Sequence, residues 1–127
     1  MPRVFVIDGR DFSTLEEFYE TIGAVLVPGV SWGKNLDAFN DILCWPVSEG
    51  REPYVLIWKH SKLSRKRLNH LEAERQLRLR MERCHPSNRA RIAEEAERAG
   101  RCEGPIVFDW LVGIIKEHPD WLTLKLE

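Results

Sequence analysis

Asp37 and Asp41 are the residues whose types and spacing say most about chemistry in this sequence. Four positions apart, they fall on one face of a helix. Leu36, Phe39, Ile42 and Leu43 form the apolar stripe of the same helix, which turns both carboxylates outward. Like charges at this spacing cost an isolated helix roughly a few tenths of a kcal/mol. The helix dipole favours Asp37 near the start and disfavours Asp41 near the end. On spacing alone two readings stay open: a pair of solvated surface carboxylates, or an anionic knob for a cationic partner.

Other constellations carry less. There is no GxSxG elbow, no P-loop and no GxGxxG fingerprint. Asp8 and Asp11 flank Gly9-Arg10, and a turn after a strand accounts for them better than a metal loop. His60 and Ser61 are adjacent, but a nucleophile and its base need a geometry that adjacency does not give. Cys44, Cys84 and Cys102 include no CxxC pair, and His60, His70, His85 and His118 are scattered; Cys84-His85 is only a weak hint of a ligand pair. The expectation is no catalytic residue, no metal and no cofactor. The thiols read as a reduced, cytosolic set.

The elements that must position the acidic helix follow from periodicity and punctuation. Val4 to Ile7 is a continuous apolar run closed by Asp8-Gly9, a buried strand of a parallel sheet. Ser13 or Thr14 can cap a helix carrying Leu15, Phe18, Tyr19 and Ile22, with Glu16 and Glu17 in its first turn and Gly23 ending or loosening it. Val27 to Gly33 is a loop by composition, and the acidic helix spans about 35–44 before Pro46. Tyr54 to Trp58 is the next strand, entered from Pro53. Helices are expected over about 68–84, broken by Pro86, then from a Ser87 cap to Ala99 with Gly100 as the stop, and over 106–117 before Pro119. Trp121 to Leu126 alternates with period 2 as a strand, one face more exposed. Strands separated by helices imply parallel pairing, so the fold class is α/β, a small three-stranded parallel sheet packed by helices.

The chain's 127 residues fit one domain, 1–127, able to bury a core without staples. The net charge of -1 favours neither nucleic acid nor membrane, but the charge is unevenly spread. From Lys59 to Glu103 there are 13 basic and 7 acidic residues; the remainder holds 6 basic and 13 acidic. Such asymmetry is either a partner signal or neutralised within the fold. No apolar run is long enough for a signal-peptide core or a membrane span, which points to a cytoplasmic protein.

The run Trp32-Gly33-Lys34-Asn35-Leu36-Asp37-Ala38-Phe39-Asn40-Asp41-Ile42-Leu43 resembles the signature of the barstar family, with loop, cap, core stripe and both Asp residues in register. The flanks are similar too: Val4 to Gly9, Trp45, Tyr54 to Trp58, Val107 to Glu117 and Leu122 to Leu126. The charged helical stretch at about 62–104 looks like an insertion beyond that core. The resemblance implies a proteinaceous ribonuclease inhibitor of immunity or antitoxin type, not an enzyme, whose partner is a cognate ribonuclease. It would plug the nuclease's phosphate site with carboxylates, which Arg, Lys and His gathered for phosphate can accept. It would need no cofactor and no membrane, and would be monomeric when free.

Carried over, Asp41 would be the central anion and Asp37 a second acidic contact. Trp32 and Gly33 would shape the loop and Glu117 would lie at the rim, with Ser31, Asn35, Asn40 and Trp45 completing the partner surface. Ser31 stands where the family often has an aromatic, Asn40 where it often has Trp, and Lys34 where it has an acid, so the surface is less aromatic and less acidic. Two alternatives remain. One is an interaction module whose partner is not a nuclease. The other is an RNA-binding protein using Arg75, Arg78, Arg80 and Arg83, which the interleaved Glu72, Glu74 and Glu82 weaken.

Overall fold

The three apolar runs become three parallel strands: β1 (Arg3–Asp8), β2 (Tyr54–Lys59) and β3 (Leu122–Leu126), ordered β1-β2-β3. The computed structural model describes residues 3–50 and 52–127. Phe5 pairs with Leu56 and Leu56 with Leu124; Ile7 pairs with Trp58 and Trp58 with Leu126. Because side chains alternate along a strand, one face of the sheet carries Phe5, Ile7, Tyr54, Leu56, Trp58 and Leu122 into the core. The other face carries Val4, Val6, Val55, Ile57, Thr123 and Lys125 and is more open.

Helix α1 (Leu15–Leu26) starts where the Thr14 hydroxyl accepts the Glu17 N–H at 3.2 Å. Gly23, expected to end or loosen it, does neither: the helix runs on to Leu26. The missing side chain instead makes room for Trp32, whose Nε1 would lie 2.6 Å from a Cβ there. Helix α2 (Leu36–Leu43) falls where the apolar stripe places it. Its Phe39 meets Phe18 of α1 edge-on, centroids 5.3 Å apart, and Phe18 stacks on Trp58 at 5.4 Å.

After β2 comes a helix absent from the sequence reading, α3 (Ser61–Arg67). SKLSRKR has no apolar stripe; its buried positions are the small polar Ser61 and Ser64. Ser64 Oγ accepts the Trp58 indole N–H at 2.9 Å, so a hydroxyl does what an apolar contact usually does. Next come α4 (His70–Arg83) and α5 (Pro86–Gly100). The expected Ser87 cap is corrected: His85 is the cap, its Nδ1 accepting the Ser87 N–H at 3.2 Å, and Pro86 is the first helical residue, where a missing N–H costs nothing. Gly100 packs on Glu74, so the end of α5 meets the start of α4 in an antiparallel hairpin that buries Ala73, Leu77, Ile92, Ala96 and Ala99.

The hairpin docks on α1 through a buried carboxylate. Glu72 accepts the Leu15 N–H at 2.8 Å, one of the orphan donors at the helix start, and also Arg75 Nε at 2.7 Å. Helix α6 (Val107–Ile115) closes the core with Val107, Phe108, Leu111 and Ile115, and ends two residues short of the expected Glu117. No helix among the described residues is long and apolar enough to cross a membrane.

Candidate functional site

The apolar residues that hold the acidic helix lie on its hidden side. Phe39 and Leu43 are fully buried and Ile42 nearly so. An eight-residue helix is too short to be stable by itself, so these contacts hold it. Asn35 caps it, Oδ1 accepting the Ala38 N–H at 2.8 Å. At its other end the Tyr54 hydroxyl, from the first residue of β2, donates to the Leu43 carbonyl at 2.6 Å. Burial pushes the Tyr54 phenol well above its ordinary value, so it stays a donor.

The preceding loop is pinned from within. Trp32 is half-buried, its indole against Gly23 and its ring edge-on to Tyr19 at 5.5 Å. Gly33 lies so close to the first turn of α2 that a Cβ would sit 3.2 Å from Ala38 Cβ. Lys34 takes the left-handed conformation (φ 50°) and pairs its ammonium with Glu20 of α1, so its charge is compensated inside the chain. Ser31 is exposed on the same loop.

Asp37 and Asp41 are both exposed. Neither takes part in an ion pair among the described residues. Partial burial, and then the charge of Asp41, push the Cys44 thiol above its ordinary value. Trp45, in the 3-10 segment that follows α2 (Trp45–Gly50), leaves half its surface in solvent. The Arg3 guanidinium holds this segment through the Pro46 carbonyl.

Glu117 precedes a residue that touches α2. His118 Nε2 lies 2.6 Å from Asn40 Oδ1 and so joins the turn after α6 to α2. His118 went unassigned in the sequence because nothing local marks it; only the fold sets it against Asn40. Asp37, Asn40 and Asp41 thus lie on α2 itself, with Trp45 after its end and Ser31, Gly33 and Asn35 leading into it, while Glu117 neighbours the His118 that touches Asn40.

Several arginines of the basic stretch are engaged within the fold. Arg75 binds Glu72 and Glu16, Arg78 binds Glu74, and Arg98 binds Glu94. The Arg80 guanidinium lies over the Trp110 ring, and that of Arg65 over Phe108 at 4.8 Å. At the far end of the sheet Asp8 accepts Arg10 and His60, the His60 contact at 2.9 Å. Its carboxyl is held well below the usual range, first by the Arg10 side chain and then by the Arg10 backbone N–H. Asp8 therefore closes a turn, as its composition suggested. No group of three or more His, Cys, Asp or Glu side chains among the described residues could hold a metal ion.

Residues 2–98 match the model of the family described as Barstar (barnase inhibitor), a span that takes in the loop, α2 and β2. No curated protein matches the chain.

Proposed function

The chain belongs to the barstar family, and from that premise we propose that it is a stoichiometric inhibitor of a ribonuclease, an immunity or antitoxin-like protein acting in the cytoplasm without catalysis or cofactor. The observation that carries the reading is the exposed face of α2. Two carboxylates stand there without an ion-pair partner among the described residues, on a helix whose opposite face is locked into the core. Free carboxylates on a rigid element suit a partner that supplies the cations itself. A ribonuclease active site does so, because it must hold phosphate, and charge-assisted hydrogen bonds to carboxylate oxygens reproduce those contacts.

Asp41 would enter the phosphate site, with Asp37 beside it. The half-exposed Trp45 ring and Glu117 would form flanking contacts, and Ser31 to Asn35 would present the loop. Opposite charge across the gap also speeds encounter, an effect that salt weakens. The RNA-binding alternative is not favoured, since so many arginines of α4 and α5 already hold glutamates or aromatic rings.

The test is inhibition of a small secreted-type microbial ribonuclease, ideally one encoded beside this chain, by wild type and by Asp41→Ala. One-to-one inhibition by wild type with a large loss in the variant supports the plug. Equal inhibition by both proteins would move the contact away from α2. No inhibition by wild type would leave an interaction module whose partner is not a nuclease.

A further inference from the structure

One polar side chain on the α2 surface is held by the rest of the fold. Asn40 is half-buried, and its Oδ1 faces Nε2 of His118 at 2.6 Å. An amide oxygen only accepts, so the ring nitrogen donates. His118 is fixed in turn: its ring stacks on Trp121, centroids 4.6 Å apart and planes 25° from parallel. Trp121 leans on Tyr54 at 6.2 Å, and the Tyr54 hydroxyl is bonded to the Leu43 carbonyl. This chain of contacts leaves α2 at Asn40 and returns to it one turn later.

With Oδ1 engaged, Asn40 offers the outside its Nδ2 amide, which is two N–H donors. No acceptor takes them among the described residues, and Nδ2 is not among the fully buried atoms without a partner, so it keeps some contact with solvent. Beside it Asp37 and Asp41 can only accept. The face therefore presents a fixed donor among acceptors.

Resting on the inhibitor reading above, we propose that His118 is a positioning residue of the interface and that, through Asn40, it selects the partner. The α2 face fits a nuclease that places a hydrogen-bond acceptor, a carboxylate or a backbone carbonyl, beside the cations that meet Asp37 and Asp41. A partner with an apolar group at that point is rejected, because burial would strand two N–H groups.

The experiment has two arms on the full chain. In the free protein, long-range proton–nitrogen correlation spectra at pH 8 read the His118 tautomer. The expected form is Nε2–H, with the Asn40 side-chain amide signals shifting in His118→Phe, which keeps the stacking ring. An Nδ1–H tautomer would overturn the proposal, since the ring would then accept from the amide and leave an oxygen facing out. In the second arm, wild type, His118→Phe, His118→Gln, Asn40→Leu and the double variant Asn40→Leu/His118→Phe are compared against a ribonuclease that wild type inhibits. His118→Phe weakens inhibition roughly tenfold, as loss of one fixed hydrogen-bonding group would. His118→Gln, which can still donate, recovers part of the loss. The double variant is no worse than Asn40→Leu, because His118 acts through Asn40. Full inhibition by His118→Phe, or additive losses in the double variant, would overturn the proposal. If wild type inhibits no ribonuclease, the inhibitor reading fails, and the tautomer with the Asn40 shift still decides whether His118 positions that amide.

Discussion

Replacing Asp41 with alanine should make the free protein more stable while destroying its proposed activity. Asp41 is exposed in the last turn of the eight-residue α2, four residues after Asp37. Removing it relieves a like-charge pair, about 0.2–0.5 kcal/mol. It also removes an anion from the negative end of the helix dipole, about 0.3–1 kcal/mol. Alanine adds up to about 0.7 kcal/mol of helix propensity over aspartate. All three contributions have the same sign, and solvent screening trims the first two, so the net gain should be about 1 kcal/mol. For a chain of this size that raises Tm by about 3–5 °C. Urea melts in low salt and in 1 M salt provide the assay: part of the gain should fade as salt screens the charges, while the propensity part remains. Inhibition should meanwhile weaken about a hundredfold or more, the scale of about 3 kcal/mol for leaving buried cations of the partner unmatched. A variant that melts lower than wild type would refute the reasoning, because Asp41 would then be holding the fold together.

Gly9→Ala should lower stability by about 1–3 kcal/mol or more. Its Cβ would sit 2.4 Å from Ser64 Oγ and 2.5 Å from the His60 carbonyl oxygen, and a thermal melt matching wild type would show that this contact yields freely. Glu72→Ala should cost about 1–3 kcal/mol by stranding the Leu15 N–H and leaving Arg75 with Glu16 as its one carboxylate partner among the described residues; hydrogen exchange at Leu15 should quicken, and unchanged protection there would count against the cap. Tyr54→Phe should cost about 1–2 kcal/mol, the scale for leaving the Leu43 carbonyl unpaired, with faster exchange around the end of α2; equal urea midpoints for variant and wild type would contradict it. Asp8 ionises more easily folded than unfolded, so its stabilising effect is complete above the ordinary carboxylate value, about 4, and drains away as pH falls through that value toward the lower folded one. Asp8→Asn should therefore be less stable than wild type near neutral pH and approach it in acid, and a gap that stays constant down to low pH would rule out the linkage.

The parts of this molecule legible in the sequence are those with a local signature. Val4 to Ile7 and Tyr54 to Trp58 are apolar runs of strand length, and α2 has its cap, stripe and charges within ten residues, so each announces itself. Helix α3 was missed because its buried positions are serines, and the Trp58 indole that makes Ser64 welcome in the core is six residues away in sequence but belongs to another element. Gly23 looked like a helix stop because glycine is locally permissive; its actual use, a seat for Trp32, depends on a loop that folds back onto α1. Local pattern puts the cap of α5 at Ser87, two positions after His85, because Pro86 reads as a helix breaker, although proline is equally suited to begin a helix. The Asn40–His118 contact spans 78 residues, a separation at which no pattern in the chain can substitute for the fold.

Those long-range contacts bear directly on how α2 can work. A short helix with two carboxylates on one face is a poor structure by local criteria: too short to nucleate, self-repelling, and negative where its dipole is negative. It persists because Phe39, Ile42 and Leu43 enter the core and because Tyr54 and His118 tie its last turn and a half to the amino-terminal ends of β2 and β3. The residues that hold the helix and those that would meet a partner are therefore nearly separate sets. The acids can change with little harm to the scaffold, while the scaffold residues cannot change without moving the acids. Asn40 belongs to both sets: it grips His118 with its oxygen and shows its nitrogen to the outside. A change there would alter at once what the surface offers and how firmly it is held, so on the proposed reading position 40 is where partner choice and scaffold stability would be coupled.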